Sequence, residues 1–278
     1  MQQKGVECNF ISSDSWVILS PIEQSIKRKI ETVGIPLKDW DIQINYGIKT
    51  GFNDAFIINT TKRDEILAKC LTEEERKKTA ELIRPILRGR DIKKYGYDWA
   101  NLWLINTHNG IKGVKPRVDI NEYPAVKAYL DQHWDKISKR TDKGDTPYNL
   151  RNCAYLEDFL LPKLIYPETT QGAFFAYDES GMFLDKTCFM MITKHARYIQ
   201  ATLSSQLFEF AYKRIFSSIE LGQHGFQYNK HALIKLPIKR FNEDDSIIYS
   251  EEFFYNLYGI TNDEIDYIQS ANQFPQNQ

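Results

Sequence analysis

Apolar residues recur along the chain with two periods, one typical of a helix and one typical of a strand. Ile22, Ile26 and Ile30 follow at helical spacing after Ser20 and Pro21, a favoured N-cap and first-turn pair. This pattern predicts the first helix. Further helices are predicted after the Thr72–Glu75 capping box, over 122–140, over 196–216 as the longest helix, and after Ser250 and Thr261.

Short apolar or alternating runs predict strands in the body of the chain. These runs are Ile42–Ile48, Ala55–Ile58, Trp99–Ile105, Lys163–Tyr166, Ala173–Tyr177, Met182–Leu184 and Cys188–Thr193. Asp178–Gly181 predicts a hairpin turn between two of them. The predicted fold class is therefore α/β, in the sense of mixed α+β. We expect a body with a short-stranded mixed sheet, a long packing helix and a helical, acidic C-terminal tail.

Composition excludes several classes of protein. The 278 residues are 42% hydrophobic and 26% charged, as in a globular protein that folds in water. No apolar run approaches the ~20 residues that span a bilayer, and the first residues lack the apolar core of a signal peptide. Cys8, Cys70, Cys153 and Cys188 have neither C-x-x-C spacing nor a His partner, which predicts free thiols. We therefore expect a cytoplasmic protein with no membrane partner.

Charge is divided unevenly along the chain. Residues 241–278 contain eight acidic residues and no Lys or Arg, so residues 1–240 carry all 36 basic residues against 29 of the 37 acidic ones. Within Arg84–Arg117 there are eight basic residues and two acidic ones. A basic body with an acidic tail is compatible with nucleic-acid binding, although many unrelated proteins have acidic tails.

The segment Leu82–Tyr95 combines apolar anchors with concentrated positive charge. Gly89 allows a sharp backbone turn or a close approach to a ligand. An anchored, basic, Gly-hinged segment suits a phosphate backbone, whereas a solvated basic turn is the structural alternative. The residues of this segment that we expect to contact phosphates are Arg88, Arg90, Lys93 and Lys94.

Three polar loops supply further candidates for DNA contact. Their Lys, Arg, Asn and Thr side chains can donate to phosphate oxygens or to base edges, and Arg and Asn make bidentate contacts with guanine and adenine. An ordinary β-turn around Gly47 and Gly51, and an ordinary polar loop over Thr141–Asn152, remain the alternatives. The candidates are Lys49, Thr50 and Asn53 in the first loop; Arg140, Lys143, Asn149, Arg151 and Asn152 in the second; and Thr169 and Thr170 in the third, together with Lys163 on the strand that precedes it.

Several motifs accompany the basic segment in a fixed order along the chain. They are Ile44–Ile58, Leu82–Tyr95, Leu161–Tyr166, Gly225–Tyr228, Leu236–Ile238 and Leu257–Ile265. In this order and at these spacings the chain resembles the C-terminal target-recognition (specificity) domain of Taq-type adenine-specific DNA methyltransferases. The same domain ends the fused restriction–modification enzymes of type II, subtype G. The resemblance runs from about Trp16 to Ile268, nearly the whole chain.

The resemblance implies a function and a domain organisation. Residues 1–36 would be a helical linker or docking segment, 37–240 the target-recognition domain, and 241–278 the acidic helical tail, packed away from DNA. The chain would bind double-stranded DNA and direct a methyltransferase or endonuclease domain of the same polypeptide to its site. The target adenine would be flipped into that partner domain. S-adenosylmethionine, and Mg²⁺ if a nuclease is fused, would belong to those catalytic domains.

Catalytic motifs are missing from the chain itself. It has no Asn-Pro-Pro-Tyr type loop for a flipped base, no Gly-rich loop for a methyl donor and no zinc-ligand spacing among its five histidines. Asp91-x-Lys93 and Glu75-x-Lys77 match half of a nuclease motif, a match that often arises by chance. We therefore expect no catalysis by this segment alone. The alternatives are a protein-interaction scaffold within a phage-defence complex and a complete small nuclease.

Overall fold

The computed structural model describes residues 19–217, 220–221, 225–241 and 247–272. Cys8, Trp16 and residues 242–246 and 273–278 of the predicted tail lie outside the described residues. The chain divides into two compact units. Unit 1 takes its described residues from Met1–Asp41, Gln171–Ala173 and Ala201–Gln278, and unit 2 consists of Ile42–Thr170 and Phe174–Gln200. All of the predicted DNA contacts fall in unit 2. The division predicted from the sequence, 1–36, 37–240 and 241–278, stays a prediction.

Helices are numbered along the described part of the chain. They are α1 (Pro21–Val33), α2 (Asn53–Phe56), α3 (Thr60–Ala68), α4 (Glu73–Leu82), α5 (Pro124–Asp131), α6 (Trp134–Ile137), α7 (Ala196–Ser204), α8 (Gln206–Ala211), α9 (Lys230–Leu233), α10 (Glu251–Tyr258) and α11 (Asn262–Asn272). The predicted caps are confirmed: Ser20 begins α1, Thr72 begins α4, Ser250 begins α10 and Thr261 begins α11.

Strands are short throughout the described residues. They are β1 (Ile35–Pro36), β2 (Gln43–Tyr46), β3 (Ile57–Asn59), β4 (Ile83–Leu87), β5 (Ile92–Lys93), β6 (Gly96–Tyr97), β7 (Leu102–Ile105), β8 (Lys163–Pro167), β9 (Thr169–Thr170), β10 (Ala176–Asp178), β11 (Phe183–Leu184), β12 (Cys188–Ile192), β13 (Glu220–Leu221), β14 (Gly225–Gln227) and β15 (Pro237–Ile238).

Unit 2 is built on two four-stranded sheets and one hairpin. The first sheet has the order β10-β8-β12-β2 and is antiparallel throughout. The second has the order β11-β4-β7-β3, in which β11 and β4 are parallel and the other pairs are antiparallel. Strands β5 and β6 form the hairpin. One apolar core packs both sheets, with Phe56, Ile86, Leu104, Ile165 and Leu184 fully buried in it.

Unit 1 is mainly helical. Its short strands β1 and β15 pair in antiparallel fashion. The apolar stripe of α1 buries Ile26 and Ile30, as its spacing predicts. The aromatic rings of Phe208 on α8 and Tyr258 on α10 make a T-shaped contact with centroids 5.3 Å apart. Aromatic packing therefore joins the helices of the tail to α8.

The mixed α+β class is confirmed, but the prediction of one long packing helix is wrong. The predicted helix over 196–216 divides into α7, α8 and a π-helical turn, Tyr212–Phe216. The break falls at Ser205, whose backbone is extended and whose side chain accepts the amide of Phe208. Serine side chains compete in this way with the hydrogen bonds of the helix for backbone donors. The spacing of apolar residues alone does not reveal that competition.

Three further element predictions need correction. The predicted helix over 122–140 ends at Asp131 and resumes as α6, which leaves Trp134 exposed. The predicted strand Ala55–Ile58 begins as the helical turn α2. The predicted hairpin turn Asp178–Gly181 instead links two different sheets, because β10 pairs with β8 and β11 pairs with β4. The Asp178 carboxylate turns the chain there by accepting the amides of Ser180 and Met182.

Two remaining features of composition can be compared with the structure. Cys70, Cys153 and Cys188 are free, as predicted. Within the residues that the structure describes, no helix combines the length and the hydropathy that a membrane crossing requires.

Glu264 gives unit 1 a testable acid sensitivity. Burial disfavours its charge, but hydrogen bonds from Lys29, the Thr261 amide and Ser25 outweigh that effect and lower its pKa. A carboxylate with a depressed pKa contributes stability above its unfolded value of about 4.5, and this contribution is lost as pH falls through the folded value.

We predict that Glu264→Gln lowers the free energy of unfolding at neutral pH and weakens its fall in acid. The measurement is urea unfolding at a series of pH values from neutral to about pH 3. Glu252→Gln, an exposed position on α10, is the control. An acid-induced loss of stability as steep in Glu264→Gln as in the wild type would contradict this role.

Candidate functional site

Three stretches of backbone leave the sheets of unit 2 side by side and in the same direction. Strand β11 runs parallel to β4, with Leu184 opposite Leu87. On the other side of β11, Ile48 bridges in parallel to Asp185 and its amide donates to the Leu184 carbonyl over 2.7 Å. The residues that follow these pairs therefore emerge at one edge. We call the three basic side chains there the basic edge, and they are Lys49, Arg90 and Lys186.

The turn Asp185–Thr187 holds these three stretches together. The amide of Gly89 donates to Thr187 Oγ1 over 2.9 Å, and Thr187 Oγ1 donates to Asp185 Oδ1 over 2.5 Å. On the opposite side, a Cβ at Gly47 would clash with the Asp185 carbonyl. Glycine is needed at position 47 because the two backbones touch there. The turn thus fixes the positions of the first polar loop and of the basic segment.

The same turn also locates the third polar loop. The amide of Glu168 donates to the Thr187 carbonyl over 2.8 Å, so the residues that follow β8 lie beside the turn. Thr169 is exposed there, and Thr170 is buried. Parts of the chain more than 100 residues apart, from Lys49 to Lys186, are therefore neighbours in space.

Two acidic side chains at this edge, those of Asp91 and Asp185, are turned inward. Asp91 is 5% exposed and accepts from the Arg88 amide, from Arg88 Nε and from Arg88 Nη2. Asp185 is 4% exposed and accepts from the amide and the hydroxyl of Thr187. Lys49, Arg90 and Lys186 are exposed, and within the described residues none of them forms an ion pair. Asp91 and Asp185 therefore do not neutralise these three exposed cations.

Arg140 ties the long polar loop to the first loop. Its guanidinium donates to four backbone carbonyls, those of Thr50, Asp142, Pro147 and Asn149. It also lies over the Phe56 ring, 4.4 Å from the centroid. Burial lowers the pKa of Arg140 to about 10, so the group stays charged at neutral pH. The planar fork of Arg140 thus fixes the conformation of two loops at once.

A groove lies between the first and second loops. It has a volume of about 420 Å³ and is lined by Tyr46–Lys49 and Arg151–Tyr155. Arg151 is exposed and forms an ion pair with Asp142 over 3.1 Å, a pair that solvent and a competing anion can reach. A second, wider groove of about 1020 Å³ is lined by Asn109–Arg117 on the other side of Asn152 and Cys153.

The predicted contact residues fall into two groups. In the first group, the side chains make contacts within the fold. Arg88 is half-buried and paired with Asp91. The buried members are Thr50, Arg140, Asn149, Lys163 and Thr170. Their assignment to DNA contact stays a prediction, which this arrangement does not favour. In the second, side chains are exposed to a partner: Lys49, Asn53, Arg90, Lys93, Lys94, Lys143, Arg151, Asn152 and Thr169.

Lys163 shows why a basic residue in a motif need not contact a ligand. Its ammonium is fully buried, 2.5 Å from Asp178 Oδ2, and also donates to the Phe159 carbonyl over 2.6 Å. Burial lowers the pKa of Lys163, and Asp178 partly opposes this effect. Removing one member of such a pair leaves an uncompensated buried charge and is strongly destabilising. Lys163 is therefore a structural residue in this fold.

Sequence reasoning missed Lys186. It lies in a three-residue turn between two predicted strands, outside every motif and charge run. The signal that could have found it is the Asp-Lys-Thr turn itself, because Asp and Thr satisfy the turn's own donors and leave the lysine to solvent.

A nuclease site would need free carboxylates that can hold a metal ion. The carboxylates of both partial motifs are engaged: Asp91 with Arg88, and Glu75 with the amides of Leu71 and Ala125. Among the described residues, no three or more His, Cys, Asp or Glu side chains are grouped so that they could hold a metal ion.

Comparison with known families adds an independent observation. A family model described as the TaqI-like C-terminal specificity domain matches residues 84–238, more than half of the chain. Type II methyltransferase M.BstVI of Geobacillus stearothermophilus is 21% identical over 94% of this chain and 47% of its own length. Type II methyltransferase M.XhoI of Xanthomonas vasicola is 23% identical over 69% of this chain and 33% of its own length. The chain thus spans half or less of these relatives.

Two solved structures share the fold. The type IIL restriction–modification enzyme MmeI, in a complex with DNA, has a TM-score of 0.51 at 12% identity, over 87% of this chain and 29% of its own. The type IIG restriction endonuclease BpuSI has a TM-score of 0.52 at 14% identity, over 90% of this chain and 28% of its own. At these identities the likeness concerns the fold alone.

The role of Arg140 can be tested by substitution. We predict that Arg140→Lys lowers the free energy of unfolding by at least about 3 kcal/mol, because an ammonium cannot reach four carbonyls in the geometry of a fork. Hydrogen exchange should rise in residues 141–152 and 47–53. The measurements are urea unfolding and amide exchange by mass spectrometry. The control is Lys139→Ala, which changes the exposed preceding residue. Unchanged exchange in both loops would show that Arg140 does not hold them.

Proposed function

The chain belongs to the TaqI-like C-terminal specificity domain family, and we propose that it is a sequence-specific, double-stranded DNA recognition module. In this proposal it directs a separate catalytic domain of a type II restriction–modification enzyme, or of an adenine-specific DNA methyltransferase, to its site. The observation that carries the proposal is the basic edge, where three distant stretches of chain present exposed Lys49, Arg90 and Lys186 while Asp91 and Asp185 are turned inward. Within the described residues, none of the three basic side chains forms an ion pair.

We assign different tasks to the two kinds of exposed side chain. Lys49, Arg90 and Lys186 contact phosphates, because they are solvent-facing point charges on a rigid backbone. Arg151 and Asn152 on the neighbouring loop contact base edges, because both can make bidentate hydrogen bonds in the major groove. The groove between these loops provides an opening that a base edge can enter.

The activity of the whole protein is part of the same proposal. The chain spans half or less of the methyltransferases that it matches, so the catalytic domains would lie in the remainder of such a polypeptide. Those domains would bind S-adenosylmethionine, and Mg²⁺ if a nuclease is fused. The residues described here would grip the duplex while the target adenine is flipped into the partner domain. The protein would act in the cytoplasm, where its DNA substrate lies.

A salt titration tests the phosphate contacts. We predict that changing Lys49, Arg90 and Lys186 together to Ala flattens the slope of log K against log salt by up to about 2.7 units, because each phosphate contact contributes roughly 0.9. Binding of all duplex sequences should weaken alike. The measurement is fluorescence anisotropy with a labelled duplex at several salt concentrations.

A matched control is available in the same unit. Lys69, Lys77 and Lys78 are exposed on or beside α3 and α4, and their change to Ala should leave the salt slope almost unchanged. If the wild-type chain did not bind duplex DNA, the proposed function would be wrong and a protein-interaction scaffold would become the better account. Metal-dependent cleavage of the duplex by this chain would instead favour a nuclease.

Base specificity has its own test. We predict that Arg151→Ala relaxes the preference at one base position, at a cost of about 1–3 kcal/mol for the preferred base. The measurement is selection of bound sequences from a randomised duplex library. Arg117→Ala is a close control, because Arg117 is also exposed and ion-paired over 3.1 Å to a loop aspartate, Asp145. An unchanged sequence preference in Arg151→Ala would refute this assignment.

A further inference from the structure

The β5–β6 hairpin presents an aromatic side chain at its tip. Ile92 pairs with Tyr97 and Lys93 pairs with Gly96, so Lys94 and Tyr95 form the two-residue turn between the strands. Tyr95 is 56% exposed. The hairpin therefore carries an aromatic ring that is more than half exposed on a tight basic turn.

The backbone of Tyr95 is strained. Its φ is +68°, in the left-handed region that bulky side chains rarely adopt and that glycine adopts freely. Gly96 follows directly, yet its φ is not in that region and a Cβ there would meet no atom within 4 Å. The chain therefore places a tyrosine where the turn favours glycine, and a glycine where any residue would fit. Strain of this kind collects at functional positions.

Hydrogen bonds hold the tip in one position. The Tyr95 amide donates to the Phe175 carbonyl over 3.0 Å, and the Asp98 amide donates to the Asp91 carbonyl over 2.8 Å. The Tyr97 hydroxyl donates over 3.0 Å to Asp178, the partner of the buried Lys163. These hydrogen bonds fix the backbone that carries the Tyr95 ring, so less conformational entropy is lost when the ring contacts a ligand.

The charge and position of the tip indicate what it contacts. Lys93 and Lys94 are exposed, and Lys94 Nζ lies 5.4 Å from the centroid of the Tyr95 ring. Phe175 precedes Ala176, which pairs with Ile165 of β8, so the tip lies toward the Pro167 end of that strand. Gly89 packs against Pro167 at the same end. The ring and its two lysines therefore lie near the basic edge.

We propose that Tyr95 is a wedge that stacks on a base at an opened step of the duplex, while Lys93 and Lys94 hold the flanking phosphates. Every base offers a π-face to an aromatic ring, so this contact does not require a particular sequence. Insertion between base pairs requires them to unstack, and a site that is already open avoids that cost. The inference rests on the proposed DNA-binding function.

The test compares an intact synthetic duplex with the same duplex carrying one central abasic site. The 278-residue wild-type chain should bind the abasic duplex about 5- to 150-fold more tightly, the equivalent of one stacked base. Tyr95→Phe should keep this ratio. Tyr95→Asn should reduce it to near one without altering the salt slope, because asparagine tolerates the left-handed backbone but lacks the ring. Tyr95→Gly serves the same purpose if the Asn variant does not fold.

The ratio separates a wedge from a structural residue, since loss of structure would weaken binding to both duplexes equally. An unchanged ratio in Tyr95→Asn or Tyr95→Gly would overturn the wedge, and so would equal binding of both duplexes by the wild type. In those cases DNA binding itself would stand. Failure of the wild-type chain to bind either duplex would overturn the proposed function, and the wedge with it.

Discussion

The contact between Gly47 and the Asp185 carbonyl is the constraint on which the candidate interface depends. It allows Ile48 to pair with Asp185 on one side of β11 while Leu87 pairs with Leu184 on the other side. The three backbones therefore run parallel to one another and end at the same edge. A side chain at position 47 would separate the first loop from the turn Asp185–Thr187. The basic residues would still be present, but they would not form one surface. Backbone packing, rather than any single charge, therefore creates the basic edge.

Electrostatics at this surface follows from how its polar groups are satisfied. Asp91 and Asp185 accept hydrogen bonds from nearby backbone and side-chain donors, and Arg140 donates to surrounding carbonyl groups. These three charged groups therefore stabilise the fold. Lys49, Arg90 and Lys186 remain on the exterior, on short connections. Because buried polar groups need partners, the inward groups maintain loop shape and the outward groups remain available for phosphates. This division explains how a chain with a net charge of −1 can present a positive face.

Much of the fold followed from periodicity and capping, and much of the site did not. The N-caps at Ser20, Thr72, Ser250 and Thr261 are local signals, and local hydrogen bonds fulfil them. The break at Ser205 depends on competition between a side chain and the helix, which apolar spacing does not reveal. At the site, residue type and loop position predicted Lys49, Arg90 and Arg151 as DNA contacts, and the structure exposes all three side chains. The same criteria could not separate exposed Lys94 from buried Lys163, because the burial of Lys163 depends on its pairing with Asp178 on the neighbouring strand of the sheet. Lys186 had no signal in the charge pattern, since its neighbours are distant in sequence.

The central claim is that the loops converge on one DNA-binding surface, and lysine reactivity measures this most directly. The chain would be treated with an acetylating reagent in the presence and absence of duplex DNA, and modification would be quantified by mass spectrometry. Our account predicts protection of Lys49, Lys93, Lys94 and Lys186 together, while Lys69, Lys77 and Lys78 stay reactive. Protection of the second group, or of Lys49 without Lys186, would contradict a single surface built around the turn Asp185–Thr187.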